Sequence, residues 1–566
     1  MDAIPNGRSR VTPRKIIDFE AAARLIPDGA VVAASASSGL ACPDRMLAAI
    51  GERFAREGHP RALTLFLPIA AGDMYGIKGI DHVARKGLLA KVIAGSYPSG
   101  PSSMESPAIW KMIGANEVAA YNVPSGTLFD VLREGAARRA GVMTRVGLDT
   151  FVDPRRNGCK MNDAAREDIV KLVRFEGGEW LYFPNLPPQV AIIRGTTADE
   201  AGNISMEHEG AYLGVLDVAL AARNAGGIVI AQVKRTVPRD SIPAQRAYVP
   251  STLVDYVVVD PDQMQATQTP YDPAISGEVR RPLAAFEPVA WGPEKVIARR
   301  AAMELAEGDA VNLGFGTSPL VPGILLEEGL AGAVTWTVEQ GPVGGIPLTG
   351  FVFGCSANAE AILPSPYQFI YYQGAGEDLG LLSFLEVDGD GSVNVSRLAA
   401  KPHVTAGCGG FVDITAHARK LVFSGFFRAA GLELELRHGR LTIRKDGKFA
   451  KFVPSVEHVT FSGRRAREQR QDVTYVTERC VIRLLEHGLT VTEVAPGVDL
   501  ERDVLGGAAI ELKVAPDVKP MDARLFRPEP MGLVLQPRRK PPGALTLATP
   551  LDRGADPPGA PTLRHP

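Results

Sequence analysis

Two stretches far apart in the chain open in the same way, and this constrains the fold more than any other feature. DGAVVAASASSGLACP (28–43) and GDAVNLGFGTSPLVP (308–322) each run an apolar strand into a turn of small residues, then into a segment led by proline. Proline is pre-organised for the first turn of a helix, so both read as strand–turn–helix units. Further apolar runs at 63–66, 190–193 and 228–233 alternate with helical patterns such as 127–137 and 213–223. That alternation predicts a parallel, doubly wound sheet. A second echo pairs DEAGNISME (199–207) with DGDGSVNVS (388–396), each followed by an apolar strand, at 227–233 and 420–423. The period is not constant, because the first half carries a long insertion, so the pattern is a duplicated domain and not a solenoid. The fold class expected is α/β: two related open-sheet α/β domains in one chain, at 1–267 and 294–535. Residues 268–293 are rich in proline and lack periodicity, and read as the connection between them. Near the C-terminus, LELELRHGRLTIRKDGKF and ERCVIRLLEHGLTVTEV alternate around HG and DG, as β-hairpins do. The tail 536–566 is dense in Pro, Gly and Arg and is expected to be disordered.

Composition removes several classes of function. Lys+Arg number 62 against 64 Asp+Glu, a formal net charge of −2. This leaves none of the basic excess that nucleic acid or an anionic membrane selects for. The five cysteines (42, 159, 355, 408, 480) are scattered without CxxC spacing, so neither a disulfide framework nor a structural zinc site is expected. No apolar run approaches the roughly 18 residues that span a bilayer, and the start of the chain does not read as a secretory signal. The expectation is a soluble cytoplasmic protein with small-molecule partners, no metal, no nucleic acid and no membrane.

The sharpest local signal is AVNLGFGTSPLVP (310–322), an apolar strand turning through Gly314 and Gly316 into a helix. Such a turn brings backbone close to a ligand and aims free N–H groups at an anion. A lone GxG is as often a tight turn with no ligand. A dinucleotide site is the obvious functional alternative, because an apolar strand at 334–338 ends in an acid, Glu339, about 20 residues on. Against it, the third glycine of GxGxxG is missing, with Pro319 in that place. Glu339 instead stands at the carboxyl end of a strand beside QGPVGGIP, where Gly341, Gly344 and Gly345 thin the backbone for a large ligand. A carboxylate so placed can act as a nucleophile and form an acyl intermediate, although most glutamates of any chain are surface or capping groups. A third cluster, TAGCGGFVDIT (405–415), offers consecutive backbone N–H groups in a glycine-rich turn, suited to an oxyanion. The run 371–384, with Gly374, Ala375 and Gly376, is similar. There is no GxSxG, HExxH or P-loop. Glu207, His208 and Glu209 form the nearest thing to a metal cluster and read as a solvated polar run. Cys355 and Cys408 have no paired histidine and read as small packing residues.

Together these residues resemble the family I coenzyme A transferases, most closely the single-chain short-chain acyl-CoA:acetate/3-ketoacid type. TVEQGPVGGIP (337–347) resembles the family's glutamate loop. GDMYGIKGIDH (72–82), GANEVAAYNVPSGTL (114–128), MTRVGLDTFVDPRRNGCKMN (143–162), GCGGFVDIT (407–415), YVTERCVIRL (475–484) and EVAPGVDLERDVL (493–505) follow in the family's order. The resemblance covers residues 14–535. It implies two open α/β domains fused in one polypeptide, coenzyme A as substrate, and ping-pong transfer of CoA from a short-chain acyl-CoA to a carboxylic acid of the acetate or 3-keto acid class. The metabolism implied is that of short-chain fatty acids and ketone bodies. It further implies that Glu339 is the nucleophile, passing through a glutamyl-CoA thioester, with the N–H groups of Gly410 and Phe411 as the oxyanion hole. Gly314, Phe315, Gly316, Thr317 and Ser318 would approach the CoA, alongside Gly344 and Gly345, and the protein would assemble as a homodimer or homotetramer. Many relatives have Gln where this chain has Ser125, which leaves the acyl-pocket contacts open. The competing enzyme class is an NAD(P)-dependent oxidoreductase built on the GFGTSP turn.

Overall fold

The computed structural model describes residues 15–538 and contains two large sheets. In the N-terminal sheet the spatial order is Tyr256–Val259, Ile228–Val237, Val190–Asp199, Val31–Ala34, Leu63–Leu67, Leu89–Ala94, Ala119–Asn122. Every neighbouring pair along this path is parallel. Such strands are covered by helices on both faces and so read as apolar runs instead of alternating. Val190–Asp199, buried at every position, is the extreme case. The chain steps outward from Val31–Ala34 to Ala119–Asn122, then returns to the other side of Val31–Ala34. The order therefore reverses at that strand, and its carboxyl end is where a doubly wound sheet opens a crevice.

The C-terminal sheet repeats this plan. Ala310–Leu313 pairs in parallel with Thr335–Thr337 on one side and with Leu379–Ser383 on the other, followed by Lys420–Ser424 and Asp472–Val476. Antiparallel strands extend it at both ends. The second echo seen in the sequence is also structural. Asp199 accepts from the N–H groups of Ala201 and Asn203, both at 2.9 Å. Asp388 accepts from those of Asp390 and Ser392 at 3.0 and 2.9 Å. Each turn folds a short antiparallel pair back on itself. The insertion in the first half is a three-stranded antiparallel sheet made of Gly141–Thr144, Gly178–Pro184 and Lys171–Phe175.

The C-terminal hairpins form where HG was read as a turn. Glu433–Arg437 and Arg440–Lys445 are joined by His438 and Gly439, at φ +52° and +71°. Two positive φ values are what a type I′ turn needs to match strand twist. The tail expected to be disordered from 536 is ordered through Arg538, because Gln536–Pro537 adds a parallel strand to Ala306–Glu307 and Arg538 pairs with Asp378. The remainder of that tail lies outside the described residues. The polar run around His208 is also not a solvated one. Glu209 is buried against Arg194, with Nε and Nη2 at 3.1 and 3.0 Å from its carboxylate oxygens. Arg194 also donates to Cys42 O at 3.0 Å, tying the crevice loop 35–43 to the sheet.

The two halves share a core. The helix Ser125–Ala136 of the first packs on Ser365–Gln373 and Phe411–Thr415 of the second, with Phe129 and Phe369 rings 5.8 Å apart. Burying large aromatics across the seam fixes how the two crevices face each other.

Candidate active site

Glu339 follows the strand Thr335–Thr337, which lies beside Ala310–Leu313, the strand at which the C-terminal sheet reverses order. Val338 N–H donates to Pro342 O at 3.0 Å and Gly341 N–H to Val338 O at 2.9 Å, so Glu339 and Gln340 form the tip of a tight turn. Only glycine serves at 341: φ is +126°, and a Cβ would lie 1.9 Å from Leu363 O. The turn projects Glu339 across the seam between the halves.

Both donors that meet it belong to the second half, and both are tied to the first. Gly410 N–H donates to Oε2 at 3.1 Å, and the Gln340 amide donates to Oε1 at 3.2 Å. The same Gln340 nitrogen lies 3.1 Å from Ser37 Oγ, in the crevice loop of the N-terminal sheet. The loop 405–411 that carries Gly410 is held on that sheet's carboxyl ends. Tyr97 N–H donates to Ala406 O at 2.7 Å, Gly409 N–H to Gly95 O at 2.8 Å, Cys408 N–H to Asn122 Oδ1 at 2.8 Å, and Ser125 N–H to Gly409 O at 2.9 Å. Asp413, one turn after Gly410, accepts from Gly126 N–H at 2.9 Å and from the Gln373 amide at 3.0 Å. Each sheet therefore helps to place the donor that faces Glu339.

The electrostatics follow from this packing. Burial disfavours a charged carboxylate, and among the described residues no cation pairs with Glu339, so its carboxyl is pushed up to about 7, with the Gly410 N–H and Gln340 amide pulling it back. Burial likewise raises Asp413 to about 7. The Cys355 thiol goes up to about 12 and that of Cys408 rises as well, so both stay protonated and serve as packing, as read from the sequence.

The other sequence candidates fall unevenly. Phe411 N–H, expected to face an oxyanion, instead donates to Cys408 O at 2.9 Å. The second donor on the carboxylate is Gln340. Sequence reasoning passed over it because an amide side chain carries no motif, and only its adjacency to Glu339 hinted at a role. In the GFGTSP turn, the glycines are taken up by the neighbouring strand: a Cβ at Gly314 would meet Leu382, and one at Gly316 would lie 2.3 Å from Ser383 Oγ. Thr317 N–H donates to Ser383 Oγ at 3.2 Å, and the buried Ser318 donates to Leu382 O at 2.9 Å. Phe315 is the side chain of this turn turned outward, 72% exposed. Gly344 and Gly345 pack against 357–360 of their own loop. Gly374, read as part of a nest, caps the helix Ser365–Gln373 by donating to Ile370 O at 3.0 Å. Among the described residues no group of three or more His, Cys, Asp or Glu is disposed to hold a metal, and no helix is long and apolar enough to cross a membrane.

A buried carboxylate held at the seam between two open α/β sheets is the site, and the class of protein follows from what the chain is similar to. The family model described as Coenzyme A transferase matches residues 17–260. Over 517 residues the chain is 40% identical to the caffeate CoA-transferase of Acetobacterium woodii, covering 90% of this chain and 97% of that protein. It is 37% identical over 522 residues to the acetate CoA-transferase YdiF of Escherichia coli K12, covering 92% and 96%. The crystal structure of acyl-CoA transferase YdiF from E. coli O157:H7, a thioester complex with CoA, is similar with a TM-score of 0.85 at 36% identity, over 93% of this chain and 98% of that one. The chain belongs to the coenzyme A transferase family. It is an enzyme that moves CoA between an acyl-CoA and a carboxylate, and coenzyme A is its substrate.

Proposed function

We propose that this enzyme transfers CoA from a short-chain acyl-CoA to a carboxylic acid in two half-reactions through Glu339. A carboxylate oxygen of Glu339 attacks the donor thioester carbonyl. The C–S bond breaks, CoA leaves as its thiolate, and an acyl-glutamyl anhydride remains. The thiolate then attacks the glutamyl carbonyl, expelling the acyl group as a carboxylate and leaving glutamyl-CoA thioester. The acceptor acid runs the same steps in reverse. Exchange between two thioesters is close to energy-neutral, so the protein's task is to hold the groups and stabilise oxyanions.

The observation that carries this reading is that, among the described residues, Glu339 pairs with neutral donors alone. A cation would lower its basicity and tie down the nucleophile, whereas Gly410 N–H at 3.1 Å and the Gln340 amide at 3.2 Å leave a reactive carboxylate. Once Glu339 is acylated, its carbonyl oxygen remains against the Gly410 donor, which then serves each tetrahedral intermediate. Phe411 N–H joins as a second donor only if the turn from Cys408 opens. Ser383 fills the space beside Gly316, which tells against a nicotinamide site at the GFGTSP turn.

Incubating the protein with an acyl-CoA and no acceptor leaves a CoA-sized adduct on the peptide holding Glu339, detected by mass spectrometry. Glu339→Ala folds and shows neither adduct nor transfer; wild-type-like transfer by that variant overturns the assignment. Donors of the acetate and 3-keto classes, with caffeate added because of the A. woodii relative, identify the acid. Light scattering tests the homodimer or homotetramer, and fractionation tests the cytoplasmic location.

A further inference from the structure

Against the helix Phe411–Thr415 the two halves leave an open cleft lined by Arg145, Thr150, Thr415 and Arg465. Its two guanidiniums come from different halves. Arg145 precedes Leu148 in the insertion of the first; Arg465 lies on the helix Gly463–Glu468 of the second. Among the described residues neither makes an ion pair. Arg145 rests on the Trp180 ring at 4.7 Å, and its buried Nε has no hydrogen-bond partner. Arg465 meets only the Gln469 amide, whose oxygen lies 3.2 Å from Nε and Nη2 when its nitrogen donates to Ala416 O.

The nearby acids are already engaged. Asp149 is bound by Arg156 and Arg464, both at 2.9 Å, and by Ser462 at 2.6 Å. Glu468 is bound by Arg464 at 2.8 Å. Each of these acids is thus bound by other arginines, and Arg145 and Arg465 face the cleft without a carboxylate of their own. His417 adds no further positive charge: burial and the two arginines hold it below its ordinary value, hence neutral. Two like charges brought together by folding cost energy unless an anion joins them.

We propose that this cleft binds a small oxyanion, a phosphate, sulfate or carboxylate group, gripped between Arg145 of one half and Arg465 of the other. The planar fork of arginine suits such groups, and the unpartnered Nε supplies a donor already desolvated. Bound there, the anion joins the halves beside Val412 and Thr415, in the helix that begins at the Gly410 donor. The oxyanion has two sources, the free pool or a phosphate of the acyl-CoA.

Calorimetric titration with inorganic phosphate at constant ionic strength gives one saturable site in the wild type. Arg145→Gln and Arg465→Gln each weaken it at least about tenfold, the usual worth of one charge-assisted hydrogen bond. Arg465→Lys, which keeps the charge, stays within a few-fold and guards against a folding artefact, with melting curves recorded for all variants. In a parallel arm, KM is measured for an acyl-CoA and its 3′-dephospho form. A free anion leaves their ratio the same in every variant, whereas a phosphate of the donor makes Arg465→Gln raise KM for the intact form and phosphate compete with it. Both outcomes support the site. Absence of saturable phosphate binding with an unchanged KM ratio, or full binding by the double variant, overturns it.

Discussion

Replacing Gly410 with alanine tests the geometry of the site at one atom. The backbone there has φ −87° and ψ −2°, which any residue adopts, so the substitution brings no conformational strain of its own. The added Cβ lies 2.3 Å from Glu339 Oε2 and 2.6 Å from Phe369 Cε1. The first distance is roughly 1 Å shorter than van der Waals contact allows, so carboxylate and loop must part. A 3.1 Å hydrogen bond stretched by that amount is no longer one. Losing one donor to a developing oxyanion typically costs about 10²–10³ in kcat, or about 2.7–4 kcal/mol. Overpacking against Phe369 adds roughly 1–3 kcal/mol of destabilisation, which a melting curve resolves from the kinetic effect. Gly409→Ala is the matched control. Its Cβ would lie an ordinary 3.9 Å from Oε1, but φ is +51°, so it costs about 1–2 kcal/mol of stability and spares the carboxylate. The assay is CoA exchange at saturating donor and acceptor, with adduct formation on Glu339 followed separately. A Gly410→Ala enzyme with kcat within threefold of wild type, or a Gly409→Ala enzyme losing more activity, refutes the reasoning.

Four further outcomes follow from the structure. Glu339 holds its proton more tightly folded (about 7) than unfolded (4.5), so its contribution to stability is full below pH 4.5 and lost as pH rises through 7. The gap is worth up to about 3.5 kcal/mol at about 1.4 per tenfold; Glu339→Gln therefore melts above wild type at pH 8 and close to it near pH 5, and equal melting at pH 8 counts against the buried charge. Because the ionised form attacks, kcat/KM for the donor declines about tenfold per pH unit below about 7, and a flat profile there contradicts the assignment. Arg194→Ala strands Glu209 in the interior and costs about 3–5 kcal/mol in denaturant unfolding, where a loss under 1 kcal/mol shows that the pair is dispensable. Phe315→Ala, at a side chain 72% exposed, changes stability by no more than about 0.5 kcal/mol, yet raises KM for acyl-CoA if the GFGTSP turn faces the CoA; an unchanged KM removes that turn from the binding surface.

Much of this protein was legible from its residues alone, because burial along a parallel strand and the punctuation of a helix are local matters. The apolar runs at 31–34 and 310–313, the prolines and small residues after them, and the Asp turns at 199 and 388 announce two related open sheets without any knowledge of their mutual placement. Glu339 could be singled out as well, since a carboxylate at a strand end beside glycines is a pattern within ten residues. The partners of that carboxylate were not legible in any local pattern: the family resemblance named Gly410, and nothing named Gln340. Gln340 reaches Ser37 across 303 positions, and Gly410 N–H reaches Glu339 across 71. Those distances depend on how two separately patterned sheets settle on the shared aromatic core around Phe129 and Phe369. The same packing turned Phe411 N–H inward to Cys408 and closed the glycines of GFGTSP on their neighbouring strand. Periodicity records which side of an element is dry. Which donor meets which acceptor is decided by the fit of whole surfaces, and that exists only once both halves are folded together.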